Sequence, residues 1–406
     1  MKSKFQKIKG TYDILPPESF LWDNVIDILS DISMKFGFEK IHTPIIEDLN
    51  LFKQNLGYET DVSKEMFTWE DQKNHHIVLK PEMTAPVVRA FIENGLYRSK
   101  PLCKLFYIDA FFRREKPQKG RQRQFHQFGV EAFGAASVEQ DVEIVLLANK
   151  ILNSLNINNS ILNINNIGDP QSRMKYEKVL STYFKDNIKK LSKVSINRLN
   201  KNPIRILDSK EKEDIDIIKN APIIGDFISV ESKEKFSSVL IHLNSLGIKY
   251  KENNHLVRGL DYYNDTIFEI TNSSGKSQNA LLGGGRYDFL VESMGGPSTP
   301  AVGFAAGIER LIIESSLQNN QSQIDFFIGF DNENSKEALI FADKLVDDNF
   351  HITIDTSSKN EKNQIKTAIK LKANYFIKFG KKITLRNLDS KKEFEINNYQ
   401  DLLEII

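Results

Sequence analysis

Two alternating runs, FYIDAFFRRE and RQFHQFGVEAFG, place charged and amide side chains where strands usually bury hydrophobic residues. Successive side chains of a strand point to opposite faces, so Phe125, Gln127, Gly129 and Glu131 share one face. A hairpin of the two runs would set Arg113 beside this row, and Gly129 would leave a gap for a ligand. An arginine neutralises phosphate oxygens, a phenyl ring stacks on a base, and a carboxylate holds a polar or cationic group. The pattern suits a ligand site, and equally a surface hairpin with a solvated basic tip.

Two further stretches put polar side chains beside predicted secondary structure. In LKPEMTAPVVRA, Glu82 and Thr84 come just before a predicted helix, although Thr84 could act simply as its N-cap. In LVRGLDYYNDTIFEI, Arg258, Tyr262 and Tyr263 surround a glycine turn that leads into a strand. The alternative for this second stretch is a hairpin with tyrosines in the core. Each stretch alone leaves both interpretations open.

The stretches LGGGRYD and PAVGFAAGIERLII differ in how strongly they indicate a phosphate site. LGGGRYD, which includes Tyr287, is not followed by the Lys-Ser/Thr pair of a P-loop, so its glycines are a weak signal. In PAVGFAAGIERLII, small residues lead from a predicted strand into a helix with Arg310 in its first turn. A cation at the start of a helix is unfavourable because it lies at the positive end of the helix dipole. A phosphate ligand at this position would explain why an arginine is found there.

The composition excludes several classes of protein. The 406 residues include 27% charged residues and a single cysteine, Cys103, and carry a net charge of +1. One cysteine rules out an intramolecular disulfide framework and a cysteine-based zinc site. No apolar run approaches the ~20 residues of a transmembrane helix, and MKSKFQKIKGTYDILPPE lacks the apolar stretch of a secretion signal. We therefore expect a cytoplasmic protein in which any binding of nucleic acid uses local basic patches.

The order of predicted elements divides the chain into four segments. Residues 1–170 indicate a helix followed mainly by strands, and residues 171–245 indicate a charged helical segment. Strands return in residues 246–320, and residues 325–406 alternate strands with helices, which predicts a small α/β domain. Residues 171–207 have a net charge of +8, which suits either a nucleic-acid contact or a solvated helical surface.

Together these stretches resemble the class II aminoacyl-tRNA synthetases and, within them, the histidyl-tRNA synthetase family. KGTYDILPPE is similar to the family's opening signature. GFEKIHTPIIE, FRREKPQKGRQRQFHQFGVEAFG and GFAAGIERL resemble the class II motifs 1, 2 and 3. RGLDYYNDTIFE and GGGRYD resemble segments that are particular to the histidine enzymes. The resemblance spans most of the chain.

The resemblance implies a fold, a reaction and partners. The fold is an α+β catalytic domain with an antiparallel sheet flanked by helices, formed by residues 1–170 and 246–320 and interrupted by a helical insertion at residues 171–245. Residues 325–406 would form an α/β anticodon-binding domain, and motif 1 would join two chains in a homodimer. ATP, with Mg²⁺ on its phosphates and no protein-only metal site, would react with histidine to give histidyl-adenylate and pyrophosphate. Histidine would then pass to the 3′ end of tRNA(His).

The resemblance also implies a role for each site residue. The ATP-binding residues would be Arg113, Glu115, Arg121, Phe125 and Arg310. The histidine-binding residues would be Glu82, Thr84, Arg113, Gln127, Glu131, Arg258, Tyr262, Tyr263 and Tyr287. The residues that act in catalysis would be Arg113, Arg258 and Gln127, and those that contact tRNA would be Lys116, Gln118 and Lys119. Lys116 departs from the family, which usually has arginine there.

Two alternatives stand beside this interpretation. One is a catalytically inactive, synthetase-like subunit that binds histidine and regulates histidine biosynthesis. Such proteins usually lack the C-terminal domain and parts of the ATP and histidine segments, whereas residues 325–406, Arg113, Arg258 and Arg310 are all present here. The other is a nucleic-acid-binding module without catalysis. It would explain the basic patches but not the acidic Glu82 and Glu131 beside them.

Overall fold

The structure is a computed structural model that describes residues 4–56, 61–118, 120–273, 280–318, 324–357 and 360–406. It divides into two compact units, residues 1–318 and residues 319–406. Among the described residues, no helix combines the length and the apolar composition that crossing a membrane requires.

The described strands form three sheets. In chain order the strands are β1 (Glu39–Lys40), β2 (Ile46–Asp48), β3 (Phe67–Glu70), β4 (His76–Leu79), β5 (Cys103–Phe112), β6 (Gln124–Phe133), β7 (Ser160–Asn166), β8 (Tyr250–Glu252), β9 (Asn264–Asn272), β10 (Ala280–Arg286), β11 (Ala301–Gly307), β12 (Phe326–Phe330), β13 (Ile352–Ile354), β14 (Tyr375–Phe379), β15 (Ile383–Asn387) and β16 (Glu393–Ile396). The large sheet has the order β1-β5-β6-β11-β10-β9-β7-β8, and β2, β4 and β3 form a small one. Inner strands of the large sheet are antiparallel, while the edge strands β1 and β8 run parallel to β5 and β7. The predicted α+β fold is confirmed, with a sheet that is mixed at its edges.

Helices flank the large sheet. The described α-helices are α1 (Glu18–Lys35), α2 (Leu49–Leu56), α3 (Asp61–Lys64), α4 (Thr84–Glu93), α5 (Leu96–Ser99), α6 (Val138–Ser154), α7 (Pro170–Asp186), α8 (Lys193–Leu199), α9 (Lys212–Lys219), α10 (Val230–Ser245), α11 (Leu290–Ser293), α12 (Ile308–Glu314), α13 (Ser335–Asp347), α14 (Glu361–Lys370) and α15 (Tyr399–Ile405). Short 3-10 helices are formed by Ile188–Lys190, Pro203–Asp208, Ile224–Asp226 and Asn332–Asn334. Residues 170–245 thus consist mainly of helices.

Apolar residues that alternate along the strands give the large sheet a hydrophobic core on each face. One core joins Val130 of β6 to Leu29 of α1, Val145 of α6 and Val239 of α10. These helices cover the face of β6 that is opposite to the row containing Glu131, because residues 130 and 131 point to opposite sides.

The second core covers the other face of the sheet. It joins Tyr107 of β5 and Phe133 of β6 to Val87 of α4 and to Tyr176 and Leu180 of α7. The helical segment after β7 therefore packs into the same core as the strands that carry the polar row. The candidate site lies on this side of the sheet.

The register of the central hairpin of β5 and β6, which the alternating pattern left open, brings the face of β5 that carries Phe111 together with the polar row of β6. Phe111 lies opposite Phe125. On its other side β6 pairs with β11, where Gly303 lies opposite Glu131. The predicted hairpin is confirmed, and its polar row lies inside the sheet, with hydrogen-bonded strands on both sides.

The second unit is a small α/β fold. Its sheet has the order β13-β12-β14-β15-β16, with β13, β12 and β14 parallel and β15 and β16 antiparallel. Its core packs Phe326 and Ile328 of β12 against Phe341 and Leu345 of α13 and Ile377 of β14. Strands that alternate with helices in the sequence thus do form parallel neighbours, and the last two strands add a hairpin.

A buried ion pair joins three segments beneath the candidate site. The Lys80 ammonium is fully buried and donates to Asp109 Oδ2 on β5 at 2.6 Å. It also donates to the carbonyl and the hydroxyl of Thr43, at 3.2 and 3.3 Å. Lys80 precedes Pro81 and Glu82, so the pair fixes the start of α4 against the central hairpin. A buried cation needs such partners because its desolvation is costly.

We predict that Asp109→Ala lowers the free energy of unfolding by about 3–5 kcal/mol, since it leaves the buried ammonium without its carboxylate. Urea unfolding followed by circular dichroism measures the loss. Asp31→Ala is the control, because it breaks the exposed Lys35–Asp31 pair of α1 and should cost no more than about 1 kcal/mol. Equal losses in the two variants would contradict the structural role of Asp109.

Candidate active site

A cavity of about 350 Å³ opens on the second face of the large sheet. Its volume falls within the range of small-molecule sites. The predicted site residues that line it are Glu82, Thr84, Arg113, Glu115, Arg121, Phe125, Gln127, Glu131, Arg258, Tyr262, Tyr263 and Arg310. Residues from widely separated parts of the sequence therefore converge on one space.

The start of α4 forms the acidic part of the cavity. The Glu82 carboxylate accepts from the backbone N–H groups of Thr84 and Ala85, at 2.8 and 3.0 Å. Glu82 thus satisfies the free N–H groups at the start of the helix. The interpretation of Thr84 as an N-cap is wrong, since Thr84 is the first residue of α4 and its hydroxyl donates to Glu131 at 2.9 Å.

Glu131 is a buried carboxylate in the middle of the sheet. Its oxygens accept from the Thr84 hydroxyl and, at 2.5 Å, from the Tyr287 hydroxyl. Gly303 faces it from β11, and any side chain there would collide with Glu131 Oε2. Burial raises the pKa of Glu131 to about 8, with a further increase from the nearby Glu82. Burial likewise raises the pKa of Glu82, although the two N–H groups oppose that shift.

The gap expected at Gly129 is not open to a ligand. The hydroxyl end of Tyr107 fills the space in which a Gly129 side chain would lie. Glycine is required there because the phenol of the neighbouring strand crosses β6 at that point. The expectation of a ligand against this backbone is therefore wrong, and the opening lies further along the row.

Tyr287 supports the cavity from behind. Tyr287 is absent from the cavity wall as far as the described residues define it, and it contacts the wall residues Glu131, by a hydrogen bond, and Tyr262, by a ring contact. Its neighbour Arg286 is buried and donates to Asp141 at 3.0 and 2.7 Å and to Asp288 at 3.0 Å. These ion pairs fix the backbone on both sides of Tyr287.

Two tyrosines from the loop before β9 complete this part of the cavity. The rings of Tyr262 and Tyr263 lie 4.8 Å apart, and Tyr262 lies 5.7 Å from Tyr287. Burial raises the pKa of Tyr263 to about 12, so its hydroxyl stays protonated at neutral pH. The loop thus offers neutral phenols beside the buried carboxylates.

Arginines form the opposite, cationic part of the cavity. Arg113 donates from Nε to the Pro81 carbonyl at 2.9 Å, and its guanidinium lies 5.1 Å from the centre of the Phe125 ring. Burial lowers the pKa of Arg113. Arg258 pairs with Glu269 at 2.5 Å and crosses β10 directly over Gly283, where a side chain would collide with it.

Arg310 also belongs to the cationic part of the cavity. It donates to the carbonyls of Ala280 and Gly120, at 2.6 and 3.3 Å. Burial and then the neighbouring Arg121 lower its pKa, although Glu115 and Glu269 oppose that shift. Arg121 itself pairs with Glu115 at 3.2 Å. An anionic ligand would replace carbonyl oxygens with a charge-assisted contact.

Two of the three predicted tRNA-contacting residues, Lys116 and Gln118, are not part of this wall. Lys116 and Gln118 are exposed in the loop between β5 and β6. Gln118 exchanges two backbone hydrogen bonds with Arg121, at 3.0 and 2.9 Å, which closes a tight turn. Lys119 lies outside the described residues.

Sequence reasoning missed several residues of the cavity wall. Glu269 of β9 lies there as the partner of Arg258, and Arg205 and Asp208 reach it from the helical segment after β7. The signal for Glu269 was present, because a carboxylate in the apolar strand DTIFEI needs a buried partner. Nothing in the local pattern around Arg205 or Asp208 distinguishes them from other charged helical residues.

The cavity has an acidic part and a cationic part. Buried carboxylates and phenols at one end suit an ammonium group and a polar ring, while guanidinium groups at the other suit phosphates. Among the described residues, no group of three or more His, Cys, Asp or Glu side chains could hold a metal ion. The cavity wall thus combines an acidic, phenol-rich part with a part rich in arginines.

Comparison with known proteins identifies relatives over the whole chain. The family model described as histidyl-tRNA synthetase matches residues 10–311. A histidine–tRNA ligase of Clostridium novyi (strain NT) is 40% identical over 416 residues, covering 99% of both chains. A chloroplastic histidine–tRNA ligase of Gracilaria tenuistipitata var. liui is 42% identical, covering 100% of this chain and 99% of its own. The crystal structure of an apo histidyl-tRNA synthetase of S. aureus is 32% identical, with a TM-score of 0.81 and 99% of each chain covered.

The raised pKa of Glu131 has a consequence for stability. Its pKa of about 8 in the folded protein exceeds the ordinary value of 4.5, so the folded state holds a proton that the unfolded chain releases. The favourable contribution of the protonated carboxyl is complete below pH 4.5 and is lost as the pH rises through 8.

We predict that, as the pH rises across this range, the wild-type protein loses free energy of unfolding relative to Glu131→Gln, which cannot ionise. Urea unfolding of both proteins at several values between about pH 5 and pH 8 gives the difference. A difference that does not change with pH would contradict the raised pKa.

Proposed function

The chain belongs to the histidyl-tRNA synthetase family, and we propose that its cavity joins histidine to ATP and then transfers histidine to tRNA. It is an aminoacyl-tRNA ligase whose substrates are histidine, ATP and tRNA. The observation that carries the proposal is that the cavity holds two buried carboxylates, Glu82 and Glu131, at one end and several arginines, among them Arg113, Arg258 and Arg310, at the other. A regulatory subunit without catalysis is not favoured, because it would have no use for the complete set of arginines.

The acidic end is the proposed histidine site. Glu82, with Thr84 and Gln127 beside it, would hold the α-amino and carboxylate groups. Glu131 and Tyr263 would bind the imidazole, with Tyr262 alongside, and Tyr287 would act through its hydrogen bond to Glu131. Buried groups of this kind discriminate strongly, since a wrong side chain leaves them unpaired.

The cationic end is the proposed ATP site. Arg113 and Arg258 would contact the α-phosphate and Arg310 the γ-phosphate. Phe125 would stack on adenine, with Glu115 near the base and Arg121 in the hairpin loop. Arg310 would exchange its present carbonyl partners for phosphate oxygens.

The first step needs positioning and charge more than proton transfer. An oxygen of the histidine carboxylate attacks the α-phosphorus, and the bond from that phosphorus to the bridging oxygen of pyrophosphate breaks. Two anions approach, and negative charge grows on the α-phosphate oxygens. Preorganised guanidinium groups oppose both costs, so no protein nucleophile is needed. Gln127 would align the carboxylate for the attack.

Mg²⁺ is proposed to arrive with ATP. Two carboxylates of the cationic end, Glu115 and Glu269, are each paired with an arginine, and the described residues include no group of three or more His, Cys, Asp or Glu side chains that could hold a metal ion. The ion would neutralise phosphate charge, and Glu115 and Glu269 are cavity-wall carboxylates that could assist.

The second step brings the 3′ end of tRNA to the adenylate. We propose that Lys116, Gln118 and Lys119 at the hairpin tip contact the tRNA, which the exposure of the first two supports. Residues 171–245 would serve as an insertion into the catalytic domain formed by residues 1–170 and 246–320. Residues 325–406 would bind the anticodon. We also propose a cytoplasmic location, because the product supplies protein synthesis.

The proposal is tested by histidine-dependent exchange of pyrophosphate into ATP without tRNA, with the other amino acids as controls. We predict exchange with histidine alone, and a loss of about 100- to 1000-fold in rate for Arg113→Met, as expected when a preorganised charge contact is removed. Arg98→Met is the control, because Arg98 is exposed and lies against Tyr97, away from the cavity. Histidine binding without any exchange would instead support the regulatory subunit.

We further propose a homodimer that uses the small sheet of β2, β4 and β3. Ile46 and Trp69 lie on one face of this sheet, where their side chains are 53% and 41% exposed. Ile77 pairs with Trp69 on the same face. Ile46 belongs to the stretch that resembles motif 1. An exposed apolar face of this kind is typical of a protein interface.

We predict that the wild-type protein sediments as a dimer and that Ile46→Glu shifts it towards monomer, because a charge would be buried at the interface. Analytical ultracentrifugation at several protein concentrations measures the shift. Ile241→Glu on α10 is the control, since Ile241 is also exposed, at 62%, and lies outside the small sheet. A dimer that is unaffected by Ile46→Glu would contradict this interface.

A further inference from the structure

The proposed insertion, residues 171–245, is packed into the back of the histidine pocket. Tyr176, Leu180 and Ile206 of the insertion belong to the same hydrophobic core as Tyr263 and Tyr287. The insertion is therefore not a separate body attached at the surface. The position of the insertion and the shape of the pocket therefore depend on the same hydrophobic contacts.

The segment that carries the pocket tyrosines has little regular structure of its own. Residues 256–263, here called the histidine loop, lie between β8 and β9 and belong to neither a helix nor a strand. Two ties come from the sheet: the Asn165 amide of β7 donates to the Leu256 carbonyl at 3.0 Å, and Arg258 pairs with Glu269 of β9 at 2.5 Å. The conformation of the rest of the loop must come from other contacts.

Asp261 receives those contacts from the insertion. Arg173 of α7 donates to the Asp261 carbonyl at 2.7 Å and to its carboxylate at 3.4 Å. Asn202 and Arg205 donate to the same carboxylate oxygen, at 3.2 and 3.4 Å. Arg205 also donates to the carbonyl of Gly259. Three insertion side chains thus converge on one acidic residue of the loop.

Asp261 directly precedes Tyr262 and Tyr263, so its placement sets where both rings enter the cavity. Neither Asp261 nor Arg173 appears in the described part of the cavity wall. Any effect of these two residues on substrate must therefore pass through the loop. Arg205 does reach the wall, which makes it less suitable for a test.

We propose that Asp261 is a positioning residue through which the insertion fixes the histidine loop and so sets the affinity for histidine. This inference rests on the proposed function of the cavity. It gives the insertion a task within the first step of the reaction, before any tRNA binds. The loop would otherwise sample positions in which Tyr262 and Tyr263 no longer close the pocket.

The test compares Asp261→Ala and Arg173→Met with the wild-type protein in pyrophosphate exchange. We expect the KM for histidine to rise about five- to tenfold in each variant, as for the net loss of one ordinary intramolecular hydrogen bond, while the KM for ATP changes less than about twofold. Arg173→Lys keeps one donor for the Asp261 carbonyl and should restore part of the affinity. Because both residues act on one loop, the double variant should show less than the product of the single effects.

Lys235→Met is the matched control, because it removes a cation from the insertion by breaking the exposed pair with Glu231 on α10. It should leave both KM values unchanged. Thermal unfolding of every variant, followed by circular dichroism, reports damage to the insertion. A wild-type KM for histidine in Asp261→Ala would overturn the inference, and so would equal increases in both KM values together with a lower Tm.

Failure of the proposed function would be recognised separately, by the absence of histidine-dependent exchange in the wild-type protein. Titration calorimetry of histidine with the same variants would still test the inference in that case. Weaker binding to Asp261→Ala than to Lys235→Met would support it. Equal binding to the two variants would overturn it.

Discussion

The burial of the Glu131 carboxylate inside the large sheet is the constraint on which the site depends. A carboxylate there loses its hydration, and its raised pKa reflects that cost. Three features make the position tolerable: hydrogen bonds from Thr84 and Tyr287, and the space left by Gly303 on the adjacent strand. Thr84 lies on α4, Tyr287 follows β10, and Gly303 lies on β11. The pocket therefore exists only when these three elements are assembled around β6.

Buried polar groups around the pocket are also paired. The Lys80–Asp109 pair sets the start of α4, whose N–H groups hold Glu82. Ion pairs of Arg286 fix the backbone that carries Tyr287. Polar groups that would be costly to bury alone are thus paired, and each pair also orients a residue of the cavity. Stability and the geometry of the site come from the same contacts.

Charge is divided between the two ends of the cavity. Carboxylates and phenols surround the proposed histidine site, and arginines surround the proposed phosphate sites, where burial lowers the pKa of Arg113 and Arg310. These guanidinium groups donate to backbone carbonyls in the free protein, and a phosphate would offer them stronger, charge-assisted hydrogen bonds. This division suits a reaction that must bring a carboxylate and a phosphate together.

The sequence by itself determined which residues of the central hairpin share a face, because strand alternation is a local property that survives any tertiary arrangement. Together with the resemblance to a family, it also indicated the fold class and twelve of the residues that line the cavity. The motifs could also be assigned to a family, which named the ligands. Tertiary structure alone decided that Glu82 rather than Thr84 caps α4, that Tyr107 fills the gap at Gly129 and that Tyr287 lies behind Glu131. It also decided that Arg173 meets Asp261, 88 residues away. Such contacts join distant segments through packing and buried charge, and no local periodicity encodes which partner will be met.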